Sequence, residues 1–141
     1  MVKELHITNE LDQLRLLHEF IEQSAGLFAL DPKMCMQLNL ALEEAVTNII
    51  LYAYPGEKGK DILIRVEKKE ESLVVTLVDS GIAFDPTAKE APDTTLALDE
   101  RPIGGLGIHL VKQLMTEVKY VREGNKNILI MVKELKDHGG F

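Results

Sequence analysis

A single cysteine, Cys35, stands among 141 residues, so no disulfide can form within the chain. No catalytic cysteine signature surrounds it, and near a helix start it reads as a small buried residue. Such sparing use of thiols fits a reducing cytoplasm. No apolar run approaches the length of a membrane span, and the start MVKELHITNE lacks the apolar core of a signal peptide. The expectation is a cytoplasmic chain with no membrane contact. Basic residues are outnumbered, with Lys+Arg 16 against Asp+Glu 23 and a formal net charge of −7. That balance argues against direct nucleic-acid binding through a basic surface. A polyanionic ligand would need a metal ion and local donors here. There is no internal repeat, and the last residues, KDHGGF, read as a short frayed end.

What remains is an ordinary globular balance, 45% hydrophobic and 28% charged, in a length that suits one domain over residues 1–141. Its strongest stretch is 34–54, MCMQLNLALEEAVTNIILYAY. Asp31-Pro32 ahead of it supplies an N-cap and a proline for the first helical position. Leu38, Leu42, Ala45, Val46, Ile49 and Ala53 recur at helical spacing as an apolar face. Glu44 and Asn48 are one helical turn apart and so share a face. The carboxylate can take a proton, and the amide oxygen can hold a hard cation such as Mg²⁺. Alone, such a pair also suits an ordinary solvated helix face.

Ahead of that helix, residues 2–8 alternate as a short strand. Asn9 is expected to cap a helix reaching about Ala25, with Leu11, Leu14, Leu17, Ile21 and Ala25 as its stripe. His18 lies beside the stripe and reads as a boundary or surface residue. After it, Pro55-Gly56-Glu57-Lys58-Gly59 forms a turn cluster. Ile62, Ile64 and Val66, then Leu73, Val75 and Leu77, mark the inward positions of a hairpin. Residues 87–102 show little periodicity, and a loop that long in a compact domain is functional or mobile. A third helix follows, with Ile108, Leu110, Val111 and Leu114, and then two strands at 118–121 and 128–132.

Two further stations can carry chemistry. Asp79-Ser80-Gly81 ends the second strand of the hairpin. A carboxylate there can accept a bond from an exocyclic amine, while glycine lets a flat ring approach the backbone; the plain alternative is a turn. Gly104-Gly105-Leu106-Gly107 opens the third helix, where backbone N–H groups can hold phosphates. Walker-type spacing is absent, and the glycines follow a loop rather than a strand, so the dinucleotide fingerprint is not met.

The order of these stations resembles the GHKL (histidine-kinase-like) ATPase superfamily. Glu44-Ala45-Val46-Thr47-Asn48 is similar to the N box of the small bacterial anti-sigma-factor serine/threonine kinases. Residues 79–86 resemble their adenine box, and GGLGIHLVK from Gly104 resembles their second glycine box. The resemblance covers roughly residues 5–135. It implies an α+β fold, a two-layer α/β sandwich of the Bergerat type. In it a mixed sheet carries helices on one face, with a mobile ATP lid at about 84–104.

Carried over position by position, the resemblance makes Glu44 the general base and Asn48 the Mg²⁺ ligand. Asp79 would take the adenine amino group, with Gly81 supporting that pocket. Gly104, Gly105 and Gly107 would sit at the phosphate end of the lid. Ala83 stands where many relatives have glycine, and alanine disfavours positive φ, so the local turn is open to difference. Arg101 is a candidate phosphate contact whose spacing departs from the family's. His109, in the first turn of the third helix, reads as a surface residue before a phosphate contact.

The implied function is an ATP-dependent serine/threonine kinase acting as an anti-sigma factor in a partner-switching circuit. Its cofactors would be ATP and Mg²⁺. Its partners would be a STAS-domain antagonist phosphorylated on serine, a sigma factor, and a second copy in a homodimer. Two alternatives stand beside it. One is a non-catalytic ATP-binding module whose lid gates a protein partner. The other is a detached sensor-kinase catalytic domain, for which the chain has neither dimerisation helices nor a phosphoacceptor histidine.

Overall fold

The computed structural model describes residues 1–88 and 107–135. Residues 89–106 and 136–141, and with them Arg101, Gly104, Gly105 and most of the expected lid, lie outside the described residues.

Strand β1 (Val2–Thr8) leads through a 3₁₀ turn, Leu11–Gln13, into helix α1 (Leu14–Leu27). Helix α2 (Pro32–Tyr52) follows, then the hairpin of β2 (Asp61–Lys69) and β3 (Ser72–Asp79). Helix α3 (Gly107–Leu114) precedes a second hairpin, β4 (Glu117–Glu123) and β5 (Lys126–Glu134). The strand order is β1-β2-β3-β5-β4. All four pairings are antiparallel, which corrects the expectation of a mixed sheet. The reason is topological. β3 and β4 run the same way, but β5 folds back between them and pairs with both. The tight turns fit this: Glu70 and Gly124 take φ of 54° and 61°.

The period of two is read out on the sheet. Ile62, Ile64, Val66, Leu73, Val75, Leu77, Leu129 and Met131 are buried on the inward face. Their core partners come from all three helices: Leu17, Phe20 and Ile21 of α1, Leu38, Leu42 and Val46 of α2, and Ile108 and Val111 of α3. The outward face of β3 remains half-buried. This is the two-layer α+β arrangement, with one continuous core between the layers.

Helix α2 starts as expected. Asp31 is extended, its Oδ1 accepts from Met34 N at 2.7 Å, and Pro32 takes the first helical position. Along α2, Ala41, Asn48 and Ile50 join the buried set, while Ile49 is half-buried. Helix α1 keeps the expected stripe at Leu17 and Ile21, with Leu14 and Ala25 half-buried. Its buried residues are Leu17, Phe20, Ile21 and Ser24, and Leu11 is 54% exposed. Leu11 lies in the 3₁₀ turn ahead of the α-helix and so falls off that stripe. Ser24 is accommodated because its Oγ donates to Phe20 O at 2.7 Å.

Asn9 does not cap that helix. Its Nδ2 donates to Glu57 O and its Oδ1 accepts from Lys60 N, both at 2.8 Å. It pins the turn after α2 to the end of β1. His18 is a surface residue, 3.4 Å from Glu43. Cys35 is half-buried.

Candidate functional site

The C-terminal half of α2, the end of β3 and the start of α3 enclose a cleft of about 390 Å³, solvent at its mouth included. Ile49, Phe84, Ile108 and Leu129 give it apolar walls, and Asn48, Asp79, Tyr120 and Asn127 bring the polar groups. An apolar cleft with a few convergent polar atoms is the ordinary form of a small-molecule site. Tyr52 backs Phe84, their rings 6.0 Å apart and tilted by 34°.

Asn48 reaches the cleft from α2. It is buried, yet its Oδ1 has no hydrogen-bond partner among the described residues. A buried acceptor left unpaired costs about 1–3 kcal/mol. Such a cost points to a ligand-bound state in which the oxygen is used. A carboxamide oxygen suits a hard cation. Among the described residues no cluster of three or more His, Cys, Asp or Glu could hold a metal. A cation held there would take most of its ligands from a bound molecule, and the Asn48 oxygen is of a type it could use. Glu44, one turn earlier, is half-buried and is not among the walls of the cleft.

Asp79 closes the opposite wall. Its Oδ1 accepts from Gly81 N and from Asn127 Nδ2, both at 2.9 Å. Burial raises its pKa above the ordinary aspartate value, against the opposing effects of those two bonds and the Arg122 charge. Gly81 has a structural reason to be glycine. A Cβ there would lie 2.2 Å from Ala53 O, so the close approach at this position is made by the end of α2. Ile82 N donates to that same oxygen at 2.8 Å. Ala83 is exposed, lies off the cleft and does not take positive φ, so its side chain meets no backbone penalty.

The first residues of the expected lid are tied down. Asp85 Oδ1 accepts from Thr87 N, and Lys112 Nζ donates to Thr87 O at 2.7 Å. Pro86–Ala88 forms a 3₁₀ turn, with Pro86 on the cleft wall. Gly107 opens α3, and His109 is exposed, which fits its reading as a surface residue.

Three residues were missed by the sequence reading: Asn127, Tyr120 and Tyr54. Tyr54 Oη accepts from Ser80 N at 2.7 Å and donates to Asp61 O at 2.8 Å, bracing the strand end that carries Asp79. The signal for Asn127 was present. It shares the inward phase of Leu129 and Met131, and a polar residue on the core face of a strand needs a reason.

A cleft of this composition, between the helices and the antiparallel sheet, defines a nucleotide-binding domain of the histidine-kinase-like class. The family model "Histidine kinase-like ATPase domain" matches residues 7–133, and the chain belongs to that family. It is similar to the serine-protein kinase RsbW of Bacillus velezensis, 34% identical over 110 residues, covering 72% of this chain and 68% of that protein. It is also similar to the serine/threonine-protein kinase BtrW of Bordetella bronchiseptica, 32% identical, covering 67% and 66%. The chain spans about half to two thirds of the length of the curated relatives it matches. Among solved structures, the histidine kinase domain of the Erythrobacter litoralis blue-light activated kinase matches with a TM-score of 0.54. It is 20% identical and covers 72% of this chain and 45% of that one, a likeness of fold. No helix among the described residues is long and apolar enough to cross a membrane.

Proposed function

We propose that this protein is a cytoplasmic ATP-dependent serine/threonine protein kinase, acting as an anti-sigma factor in a partner-switching circuit. The observation that carries the reading is the pairing of two walls of one cleft: the orphaned Oδ1 of Asn48 and the buried carboxylate of Asp79. Asp79 is suited to accept the adenine amine, and Asn48 to ligate a phosphate-bound Mg²⁺. ATP supplies the transferable phosphoryl group. The chain's own part is to position it, to exclude water and to take the proton of the attacking serine on Glu44. Arg101, Gly104, Gly105 and Gly107 are assigned to the phosphate end. The similarity to kinases named for serine and threonine supports a protein hydroxyl as acceptor. A serine on a STAS-domain antagonist is the substrate, with a sigma factor and a second copy of the chain as further partners.

Incubation of the protein with labelled ATP, Mg²⁺ and candidate STAS proteins tests this. Label on a serine of one STAS protein is the expected result. ATP binding without transfer to any would favour the second reading, a non-catalytic module gating a partner. The position of Glu44 outside the cleft walls is the observation on that side.

A further inference from the structure

Asn127 sits at the floor of the cleft with its carboxamide fully engaged. Nδ2 donates to Asp79 Oδ1 at 2.9 Å and to Ile82 O at 2.8 Å. Oδ1 accepts from Arg122 Nη1 at 3.1 Å, from Phe84 N at 3.4 Å and from the Tyr120 hydroxyl. Both donors are used and the oxygen is crowded, so nothing is left over for a ligand. Arg122 Nη1 also donates to Gly81 O at 2.9 Å. β5 and β4 are thereby locked to the segment that follows β3. The consequence falls on Asp79. Both of its bonds from described residues land on Oδ1, one from Gly81 N and one from Asn127. Oδ2 is left as the acceptor a ligand can use, in an orientation fixed from two sides.

We infer that Asn127, held by Arg122 and Tyr120, is the positioning residue that sets the purine selectivity of the cleft by orienting Asp79. The inference rests on the nucleotide reading above. Asn127 does not touch the base; it removes one carboxylate oxygen from use and aims the other. Replacing it frees the Asp79 carboxylate to rotate, so a ligand's exocyclic amine loses a fixed partner. A ligand without that amine loses nothing by the rotation.

The test is calorimetry on the whole chain with two probes, ATP and purine riboside triphosphate, which lacks only the 6-amino group. Wild type is expected to prefer ATP by about tenfold or more, the usual size of one buried hydrogen bond to a charged group. Asn127→Ala is expected to lower ATP affinity by a similar factor and leave purine riboside triphosphate nearly unchanged, so the preference collapses. Arg122→Met, which removes the bonds to Asn127 and Gly81, is expected to shrink the preference by a smaller factor. It carries the test if Asn127→Ala does not fold. Equal loss of both ligands in the folded variant would mean general damage to the pocket and would overturn the inference alone. No preference in wild type would overturn the assignment of Asp79 to the amine, and the inference with it.

Discussion

Gly81 and Ala53 are in backbone contact. The oxygen of Ala53 accepts from Ile82 N at 2.8 Å and would lie 2.2 Å from any Cβ at position 81. The end of α2 and the end of β3 are joined at this point, and the two functional walls of the cleft hang from it. Gly81→Ala must push them apart. A clash against backbone cannot be relieved by a rotamer change, so a loss of about 1–3 kcal/mol is expected, the scale of overpacking a core. Urea unfolding of the variant measures it. An unchanged midpoint would show that the contact yields freely.

Asp79 carries two expectations that pull in different directions. Asp79→Asn should weaken ATP binding by about 1–3 kcal/mol, because the acceptor for the adenine amine becomes ambiguous. GTP should bind wild type poorly, since a base carbonyl would face a carboxylate. Calorimetry with both nucleotides checks this, and equal affinities would sink the adenine assignment.

Stability should move the other way. Burial raises the Asp79 pKa in the folded protein above its unfolded value. The folded state therefore binds this proton more tightly than the unfolded state does. Its contribution is fully present below the ordinary aspartate pKa and is lost as pH rises through the raised folded value. At neutral pH the buried charge is a cost. Asp79→Asn should thus unfold no earlier than wild type at pH 7 and should lose this part of the pH dependence. Thermal melts from pH 4 to 8 on both proteins measure it. A variant less stable than wild type at pH 7 but matched at pH 4 would reverse the sign.

Tyr54→Phe isolates the brace behind Asp79. Phenylalanine keeps the packing, but the N–H of Ser80 loses its acceptor and Asp61 O loses its donor. A loss of about 0.5–1.5 kcal/mol per bond is expected in chemical denaturation. ATP affinity should fall with it, since the strand end carrying Asp79 loosens. A stability loss with unchanged affinity would confine Tyr54 to the scaffold.

Much of this arrangement was legible because it is periodic. The inward residues of β2 and β3 and the capped start of α2 follow from spacing of two and from Asp31-Pro32. Glu44, Asn48 and Asp79 stood out as chemistry-bearing residues on elements of clear type. What escaped is non-local. Asn9 looks like a helix cap until the turn at Glu57 and Lys60 comes beside it. Gly81 looks like room for a ligand until Ala53 occupies that space. Leu11 has the spacing of the α1 stripe, but it lies in a 3₁₀ turn and is exposed. Strand direction was missed because β5 inserts between two strands that run alike. Asn127 lies just ahead of the apolar run at 128–132 that marks the fifth strand in the sequence.

Glu44 and Asn48 share a helix, and their substitution should separate catalysis from binding. The Oδ1 of Asn48 is buried and has no partner among the described residues, so it costs stability in the empty protein. Asn48→Ala removes that cost along with the metal ligand. Its melting temperature should not fall, while Mg-ATP affinity and turnover both should. Glu44 is half-buried and is not among the residues that line the cleft. Glu44→Gln keeps the shape and removes the base, so ATP affinity should hardly change. Phosphoryl transfer to a STAS protein should drop by about 10²–10⁴-fold, the usual range for a positioned general base. The buried face of Leu42, Ala45 and Val46 is untouched in both variants, so each should fold. The measurement sets nucleotide affinity beside phosphorylation for wild type and the two variants. Transfer by Glu44→Gln at the wild-type rate would remove the carboxylate from the mechanism. If the wild-type protein also transferred nothing to any STAS protein, the gating module would become the better reading.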